Sequence, residues 1–336
     1  MGDVAMTVPV LRALVFQYPE VKVTVVSRPF FQPFFDGIPN VNLFGVDLNK
    51  RHKGFIGLLR LFSDLRKLEI DVVADLHNVL RSKVVRTLFA LSGRKVAATD
   101  KGRAEKKALT SLTNKVFSQV KPMVERHVTT LKQLGFSIDL TNPQFPEKAT
   151  LSQDILSITG TKNQNWIGIA PFAQYESKVY PIDLMQQVID DLAENNNQKI
   201  FLFGGGEKEI QLLNQLQNQH ESVIVLAGKL KFKQELEVIT NLDIMLSMDS
   251  ANAHIAAMLG VKVITLWGAT HPYAGFKPFN QLDDFCLTSD REQYKLLPTS
   301  IYGNKKVVGY EDVMRTILPE KIVFSIQSQL AYKTEH

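Results

Sequence analysis

The stretch DIMLSMDSANAHIAAMLGVKVITLWGATHP, residues 243–272, has the pattern of a buried strand, a polar turn, a small-residue helix and a second buried strand. Asp249 and Ser250 occupy the turn, and the alanine-rich helix after it can lie close to a sheet. The N–H groups and positive dipole end of such a helix favour phosphate. Ligands of open parallel sheets bind at the carboxyl ends of the strands. The stretch therefore predicts a nucleotide-diphosphate site on a doubly wound α/β sheet.

Strand and helix patterns alternate along the rest of the chain, as α/β units require. The alternation weakens in a segment at 139–164 that is rich in Pro, Asn, Thr and Lys, and it restarts at the strand-like run NWIGIAP. This segment predicts a domain boundary. The predicted parts are a first domain at 1–150, a second at 160–310 and a helical tail at 311–336.

Composition excludes several classes of protein. The chain has 336 residues, and no apolar run reaches the roughly 18 residues that a membrane span needs. The beginning lacks the basic and apolar segments of a signal peptide, so we expect a cytoplasmic protein without a transmembrane segment. Cys286 is the single cysteine, and the histidines show no metal-ligand spacing, so neither a disulfide framework nor a metal site is expected.

Positive charge is concentrated in the first domain. Residues 51–110 contain 14 Lys and Arg against 6 Asp and Glu, a net of +8 in a chain whose total is +5. Such a cluster suits an anionic partner. From the sequence alone, an ordinary solvated surface explains the same cluster equally well. Nucleic acid is not expected, because aromatic residues do not alternate with the charges. The densest cluster comprises Arg81, Lys83, Arg86, Arg94, Lys95, Lys101, Arg103, Lys106 and Lys107.

Six ordered motifs resemble those of glycosyltransferase family 9, the bacterial heptosyltransferases. The resemblance implies a GT-B fold, with two Rossmann-like doubly wound α/β domains facing each other across a cleft. It also implies transfer of heptose from ADP-heptose, without a cofactor, onto an anionic glycolipid of the lipopolysaccharide core at the inner face of the membrane. The motifs are GDVAMTVPVLRAL, DLHNVLRS, IGIAPFAQYESKVYP, FLFGGGEKE, LAGKLKFKQELEVI and MDSANAHIAAMLGVKVITLWGATHP.

The resemblance implies that Asp3 is the catalytic base. Displacement of ADP by an acceptor hydroxyl with inversion requires one carboxylate that takes the hydroxyl proton. From the residues alone, Asp3 could instead cap the helix that follows it.

Donor-binding residues are implied in the second domain. Lys178 would offset charge on the departing ADP, and Asp249 would hold sugar hydroxyls while Ser250 caps the helix. The side chain of His254 would donate to a phosphate oxygen. The other expected donor positions are Ala251, Gly268 and Thr270 near the diphosphate, and Gly228 and Lys229 near adenosine.

The run DLHNVLRS places His77, Asn78 and Arg81 after a buried strand, where the resemblance implies acceptor binding. No Asp-x-Asp triplet occurs, so helix dipole and Lys178 are expected to replace a metal at the donor. The run Gly204–Gly206 lacks the spacing of a phosphate loop and is typical of a tight strand-to-helix turn.

Three departures from the family pattern leave alternatives open. Phe172 and Ala251 stand where the family has glycine, so another nucleotide sugar is an alternative donor. The family also has a strand before the Gly-Asp turn, and its absence here predicts unpaired neighbouring strands and suggests a start upstream of Met1. A non-catalytic sugar-nucleotide binder and a nucleotide-dependent oxidoreductase or epimerase are the remaining alternatives.

Overall fold

The computed structural model describes residues 1–218 and 220–331. The chain divides into two compact units. The first comprises Met1, Asp3–Arg103 and Lys121–Phe145, and the second comprises Gly2, Ala104–Val120 and the chain from Pro146 onward.

The elements of the first half of the chain alternate as the sequence predicts. In chain order they are α1 (Gly2–Ala5), α2 (Val8–Gln17), β1 (Val23–Ser27), β2 (Val41–Gly45), α3 (Gly54–Arg66), β3 (Val72–Asp75), α4 (Leu80–Leu91), β4 (Lys95–Ala98), α5 (Arg103–Leu109) and α6 (Met123–Leu134).

The strands of the first unit form two parallel pairs, β1 with β2 and β3 with β4, instead of one continuous sheet. Among the described residues, β1 and β3 therefore each have a hydrogen-bonded neighbour on one edge alone. Most residues of both strands are only half-buried.

The second half of the chain is built from longer, more deeply buried strands. Its elements are α7 (Gln153–Thr159), β5 (Asn165–Ala170), α8 (Ile182–Ala193), β6 (Gln198–Leu202), α9 (Glu207–Gln217), β7 (Val223–Val225), α10 (Phe232–Thr240), β8 (Ile244–Met248), α11 (Ala251–Met258), β9 (Lys262–Trp267), β10 (Cys286–Thr288) and α12 (Pro319–Ala331).

The six strands of the second unit form one sheet in the order β10-β9-β8-β5-β6-β7, and every adjacent pair is parallel. Strand β5 pairs with β6 on one edge and with β8 on the other, in the register Ala170↔Ser247. The chain therefore winds outward from β5 in one direction and later returns to its other side. This is the doubly wound arrangement that the sequence at 243–272 predicts.

The core of this unit lies on both faces of the sheet. It combines fully buried residues of β5, β6 and β8 with those of α8 and α12, including Ile167, Ile200, Leu246, Ile189 and Ile322. Continuous apolar strands are typical of parallel sheets covered on both faces, because each side chain along the strand meets a helix.

The segment Ala104–Val120 belongs to the second unit, although the sequence analysis assigns it to the first domain. Leu109 is fully buried there, and Val120 donates its backbone N–H to the carbonyl of Tyr273 at 2.9 Å. The ammonium of Lys115 donates to the carbonyls of Leu109 and Pro298, at 2.8 Å each. These contacts join residues far apart in sequence, so local patterns could not reveal them.

The segment at 139–164, predicted to be irregular, includes the short helix α7. The tail, predicted to be helical, contains a 3-10 turn, Val313–Thr316, followed by α12. Residues 332–336 of the tail lie outside the described residues. In the described part of the chain, no helix combines the length and apolar character that crossing a membrane requires.

The difference between the two units predicts a difference in local stability. Ladder amides of β5 and β8 are buried and paired on both edges, whereas β1 and β3 are half-buried and paired on one edge. Amide hydrogens exchange when the structure around them opens locally. We therefore expect the hydrogen-bonded amides of β5 and β8 to exchange on the order of 100-fold more slowly than those of β1 and β3. Native-state hydrogen exchange with residue-level readout measures this, and equal rates in the two sets of strands would contradict it.

Candidate functional site

The sheet of the second unit has a topological switch between β5 and β8. The chain runs from β5 toward β6 on one side, whereas β8 pairs on the other side, so the loops after these two strands diverge at their carboxyl ends. Open α/β sheets bind ligands at such a position. The loop after β5 carries Lys178, and the turn after β8 carries Asp249.

Lys178 and Asp249 form an ion pair at this switch. The Nζ atom of Lys178 lies 3.1 Å from Oδ2 of Asp249, and their side chains are 12% and 8% exposed. Lys178 and Asp249 are far apart in sequence, but the parallel pairing of β5 with β8 brings the loops that carry them to the same end of the sheet. An ammonium group has three donors, so Lys178 can hold Asp249 and an anionic ligand together.

Two neighbouring loops hold the segment that carries Lys178 in place. Ser177 donates its hydroxyl to the carbonyl of Gly303 at 2.7 Å, and Ala269 donates its N–H to the carbonyl of Ser177 at 3.1 Å. Gly303 has a φ of +84°, and a Cβ atom there would lie 2.7 Å from both Cγ and Cδ of Lys178. Gly303 therefore leaves the space that the lysine stem fills.

Gly268 also has a packing role. A Cβ atom at this position would lie 2.5 Å from the carbonyl oxygen of Ser177 and 2.5 Å from the sulfur of Met314. The glycine lets the loop after β9 approach the loop that carries Lys178. The sequence predicts that Gly268 lies near the diphosphate. Its contribution there would be indirect, because it sets the positions of these two loops.

Helix α11 begins directly after Ser250, at the carboxyl end of β8. Ser250 occupies the N-cap position, as predicted, but its hydroxyl lies 3.1 Å from that of Ser247 and makes no side-chain cap hydrogen bond. The N–H groups of the first turn therefore do not donate to the Ser250 side chain. Ala251 is half-buried at the first helical position, and His254 is buried within the first turn.

Thr270 lies in the loop after β9, where the sequence analysis places it. Its residue is buried, and its Oγ1 atom has no hydrogen-bond partner among the described residues. A buried hydroxyl without a partner is unfavourable, so this atom is available to a ligand or a water molecule.

The remaining predicted donor residues lie farther along the same sheet edge. Gly228 and Lys229 are exposed after β7, which β6 separates from β5. The Gly204–Gly206 run is a strand-to-helix turn, as predicted, because Glu209 accepts the N–H of Gly205 at 2.8 Å. A carboxylate in that position opposes phosphate binding in the turn.

In the first unit, Asp3 lies within the short helix α1, so it does not precede a helix as a cap residue would. Its side chain is 67% exposed, and Oδ2 lies 3.7 Å from Nε2 of His77. Burial lowers the pKa of His77 below its usual value, and the nearby Asp3 opposes that shift. An exposed carboxylate beside a neutral imidazole can accept a proton from a hydroxyl group.

Asn78 shapes the loop that carries His77. Its backbone has a φ of +45°, its N–H donates to Oδ1 of Asp75 at 2.6 Å, and its side-chain amide donates to the carbonyl of Thr99 at 2.8 Å. Asp75 also accepts from Arg86 at 3.2 Å. Arg81 is exposed on the first turn of α4. The structure thus brings Asp3 and His77 together, whereas Asn78 acts mainly within the loop.

The basic cluster of the sequence is divided between the two units. Lys106 and Lys107 lie in the segment that belongs to the second unit, and the ammonium of Lys106 lies 4.0 Å from the ring centre of Phe276. The other members belong to the first unit. Within the described ranges, no group of three or more His, Cys, Asp or Glu residues is placed to hold a metal ion.

Sequence reasoning missed Ser177 and Gly303. Gly303 follows Lys178 by more than a hundred residues, and no local pattern links a glycine in the run IYGNKK to the lysine in ESKVY. Only the positive φ of Gly303 and its approach to the lysine stem reveal the role.

A family model described as glycosyltransferase family 9 (heptosyltransferase) matches residues 58–305. Lipopolysaccharide heptosyltransferase 3 of Escherichia coli K12 is 26% identical over 342 residues, covering 95% of this chain and 96% of that protein. The lipopolysaccharide core heptosyltransferase OpsX of Haemophilus influenzae is 24% identical, covering 84% of this chain and 80% of that protein.

Solved structures of similar proteins show the same fold. A family 9 glycosyltransferase from Veillonella parvula has a TM-score of 0.74 at 20% identity, covering 98% of this chain and 94% of that one. E. coli heptosyltransferase WaaC with ADP-2-deoxy-2-fluoro heptose has a TM-score of 0.66 at 20% identity, covering 97% and 96%. The predicted GT-B fold class is thus confirmed. Since the family model matches most of the sequence, this chain belongs to glycosyltransferase family 9, the heptosyltransferase family.

Proposed function

We propose that this chain transfers heptose from ADP-heptose to an anionic sugar of a lipopolysaccharide core acceptor, with inversion at the anomeric carbon. The observation that carries the proposal is the Lys178–Asp249 pair at the β5–β8 switch, next to the first turn of α11. The relatives from E. coli and H. influenzae are lipopolysaccharide heptosyltransferases by name, and this supports the choice of donor and acceptor. The alternative of an oxidoreductase or epimerase does not fit the family.

The second unit would bind the donor. The diphosphate of ADP-heptose would meet Lys178 and the N–H groups at the start of α11, where the helix dipole favours anions. The other carboxylate oxygen of Asp249 would accept hydrogen bonds from sugar hydroxyls. Gly228 and Lys229 would lie toward the adenosine, farther along the same edge of the sheet.

Departure of ADP requires stabilisation of negative charge. As the bond between the anomeric carbon and the phosphate oxygen breaks, its electron pair moves onto ADP, and the ammonium of Lys178 offsets that charge. His254 and the unpartnered hydroxyl of Thr270 are further candidates as donors to phosphate oxygens. We propose that these groups allow the reaction to proceed without a metal cofactor.

The first unit would supply the base and the acceptor contacts. Asp3 would take the proton of the acceptor hydroxyl while its oxygen forms the new bond to the anomeric carbon. One displacement of this kind inverts the configuration. His77 and Arg81 would contact the acceptor, and the exposed basic residues of this unit suit an anionic glycolipid. We propose that the protein works in the cytoplasm, at the inner face of the membrane.

The test is an ADP-release assay with ADP-heptose and a Kdo-bearing lipid A acceptor. Acceptor-dependent release supports transfer, and the configuration of the product sugar, read by NMR, tests inversion. The same assay with other nucleotide sugars tests whether Phe172 and Ala251 select a different donor. ADP binding without any acceptor-dependent release would favour a non-catalytic binder.

We expect Asp3→Asn to lower kcat by about 10²- to 10⁴-fold, because the variant cannot accept the hydroxyl proton. The Kd for ADP-heptose should be unchanged, since the donor groups belong to the second unit. Kinetics and calorimetry measure the two quantities. Asp71→Asn is the matched control, because Asp71 is an exposed aspartate of the same unit that lies directly before β3, and this variant should keep the normal kcat. Normal turnover by Asp3→Asn would rule out this base.

We expect Lys178→Met to raise the Kd for ADP by about 10- to 100-fold, the effect of losing a hydrogen bond from a charged donor. Lys262→Met is the control, because Lys262 lies at the amino end of β9, and Lys178 lies beyond the carboxyl ends of the strands. Circular dichroism should verify folding, since Asp249 loses its partner in the first variant. Equal ADP affinities for both variants would contradict the assigned role.

We expect Gly303→Val to lower kcat/KM on the order of 10- to 100-fold, because its side chain displaces the stem of Lys178. Gly309→Val is the control, since Gly309 has a similar φ of +81° but no atom within 4 Å of an added Cβ. Both variants share the backbone strain of a positive φ, so their difference in kcat/KM reports the displacement of Lys178. A similar loss in both would show that strain alone is responsible.

A further inference from the structure

One side of helix α3 is apolar and packs into the core of the first unit. Leu58, Leu61 and Leu65 are buried in a cluster with Val46 and Phe89. This spacing is typical of an amphipathic helix whose other side faces solvent.

The solvent side of the same helix is also apolar over its first two turns. Phe55 and Ile56 are each 66% exposed, and Leu59 is 39% exposed. Leu59 follows Ile56 by three residues and Phe55 by four, so the three side chains are neighbours on one side of the helix. Single exposed apolar residues are common, whereas a contiguous group of large ones marks an interaction surface.

Basic residues surround this group. Lys50, Lys53 and Arg60 are exposed and have no ion pair in the described part of the chain. The one acidic residue of α3 is Asp64, which already pairs with Arg51 at 2.8 Å. The apolar group is therefore bordered by unpaired positive charge.

The loop before α3 holds these groups in a defined position. Oδ1 of Asp47 accepts the N–H groups of Asn49 and Lys50, at 3.1 and 2.9 Å. Nδ1 of His52 accepts the N–H of Asp47 at 3.1 Å. A Cβ atom at Gly57 would lie 2.3 Å from the carbonyl carbon of His52, so the helix packs closely on the loop. The basic and apolar side chains are thus presented from an ordered support.

We propose that this surface, formed by Lys50, Lys53, Phe55, Ile56, Leu59 and Arg60, docks on an anionic phospholipid bilayer. The apolar side chains enter the boundary between headgroups and acyl chains, and the basic ones contact lipid phosphates. This inference rests on the proposed function in one respect, namely that a lipid-linked acceptor lies on such a bilayer.

The charge of this surface favours a bilayer over a second copy of the chain. A second copy of the chain on a twofold axis would bring the unpaired Lys50, Lys53 and Arg60 against their own equivalents, and like charges repel. An anionic bilayer supplies both the apolar interior and the negative charge that the surface lacks.

Co-sedimentation with vesicles tests the proposal on the full chain. The probes are vesicles of phosphatidylglycerol with phosphatidylethanolamine, and neutral vesicles of phosphatidylcholine, each at low and high salt. The unaltered chain should bind the anionic vesicles, and high salt should weaken that binding. Phe55→Ser combined with Ile56→Ser should weaken it by at least about tenfold, since two apolar side chains no longer insert. Lys53→Gln combined with Arg60→Gln should remove the preference for anionic vesicles.

Phe324→Ser is the matched control, because Phe324 is 71% exposed on α12 of the second unit. It should bind vesicles as the unaltered chain does. ADP release with a water-soluble acceptor fragment should be the same for the Phe55/Ile56 variant and the unaltered chain, which separates docking from transfer. Normal vesicle binding by that variant, or no binding by the unaltered chain, would overturn the proposal. A loss of dimerisation in that variant without a change in vesicle binding would assign the surface to a second copy instead.

Discussion

The parallel pairing of β5 with β8 is the constraint on which the candidate site of the second unit depends. It places the end of the second unit's first sheet strand beside the end of a strand that comes almost eighty residues later. Lys178 and Asp249 then meet as a consequence of strand order. The backbone ladder fixes the ends of both strands, and the hydrogen bonds of Ser177 with Gly303 and Ala269 hold the loop that carries Lys178.

The two units use this kind of pairing to different extents. The second has six strands in one sheet, and its central strands are almost fully buried. The first has two separate pairs whose strands are half-buried. Burial of apolar surface is the main favourable contribution to folding, and this contribution is larger in the second unit. The Asp3–His77 contact depends on a loop and a four-residue helix of the less buried unit.

Local sequence patterns predicted much of this architecture. The β8–α11–β9 elements and the glycine-rich turn after β6 lie where periodicity and turn residues placed them. These features depend on contacts within a few residues. The expected side-chain cap on α11 is absent for a local reason, because the hydroxyl of Ser250 contacts that of Ser247, three residues earlier. Two other expectations depended on long-range contacts and fared worse. The segment Ala104–Val120 packs with the second unit, and the basic cluster is divided as a result.

The sequence by itself determined the fold class, the family and the residue types at the candidate site, because periodicity, helix-start residues and ordered motifs are properties of the chain. Tertiary structure alone decided which of those residues meet. The fit of the Lys178 stem against Gly303, the contact of Asp3 with His77 and the outward apolar side of α3 all arise from packing between distant segments. A linear pattern fixes which side of an element is apolar, but it does not fix which neighbour, if any, will cover that side.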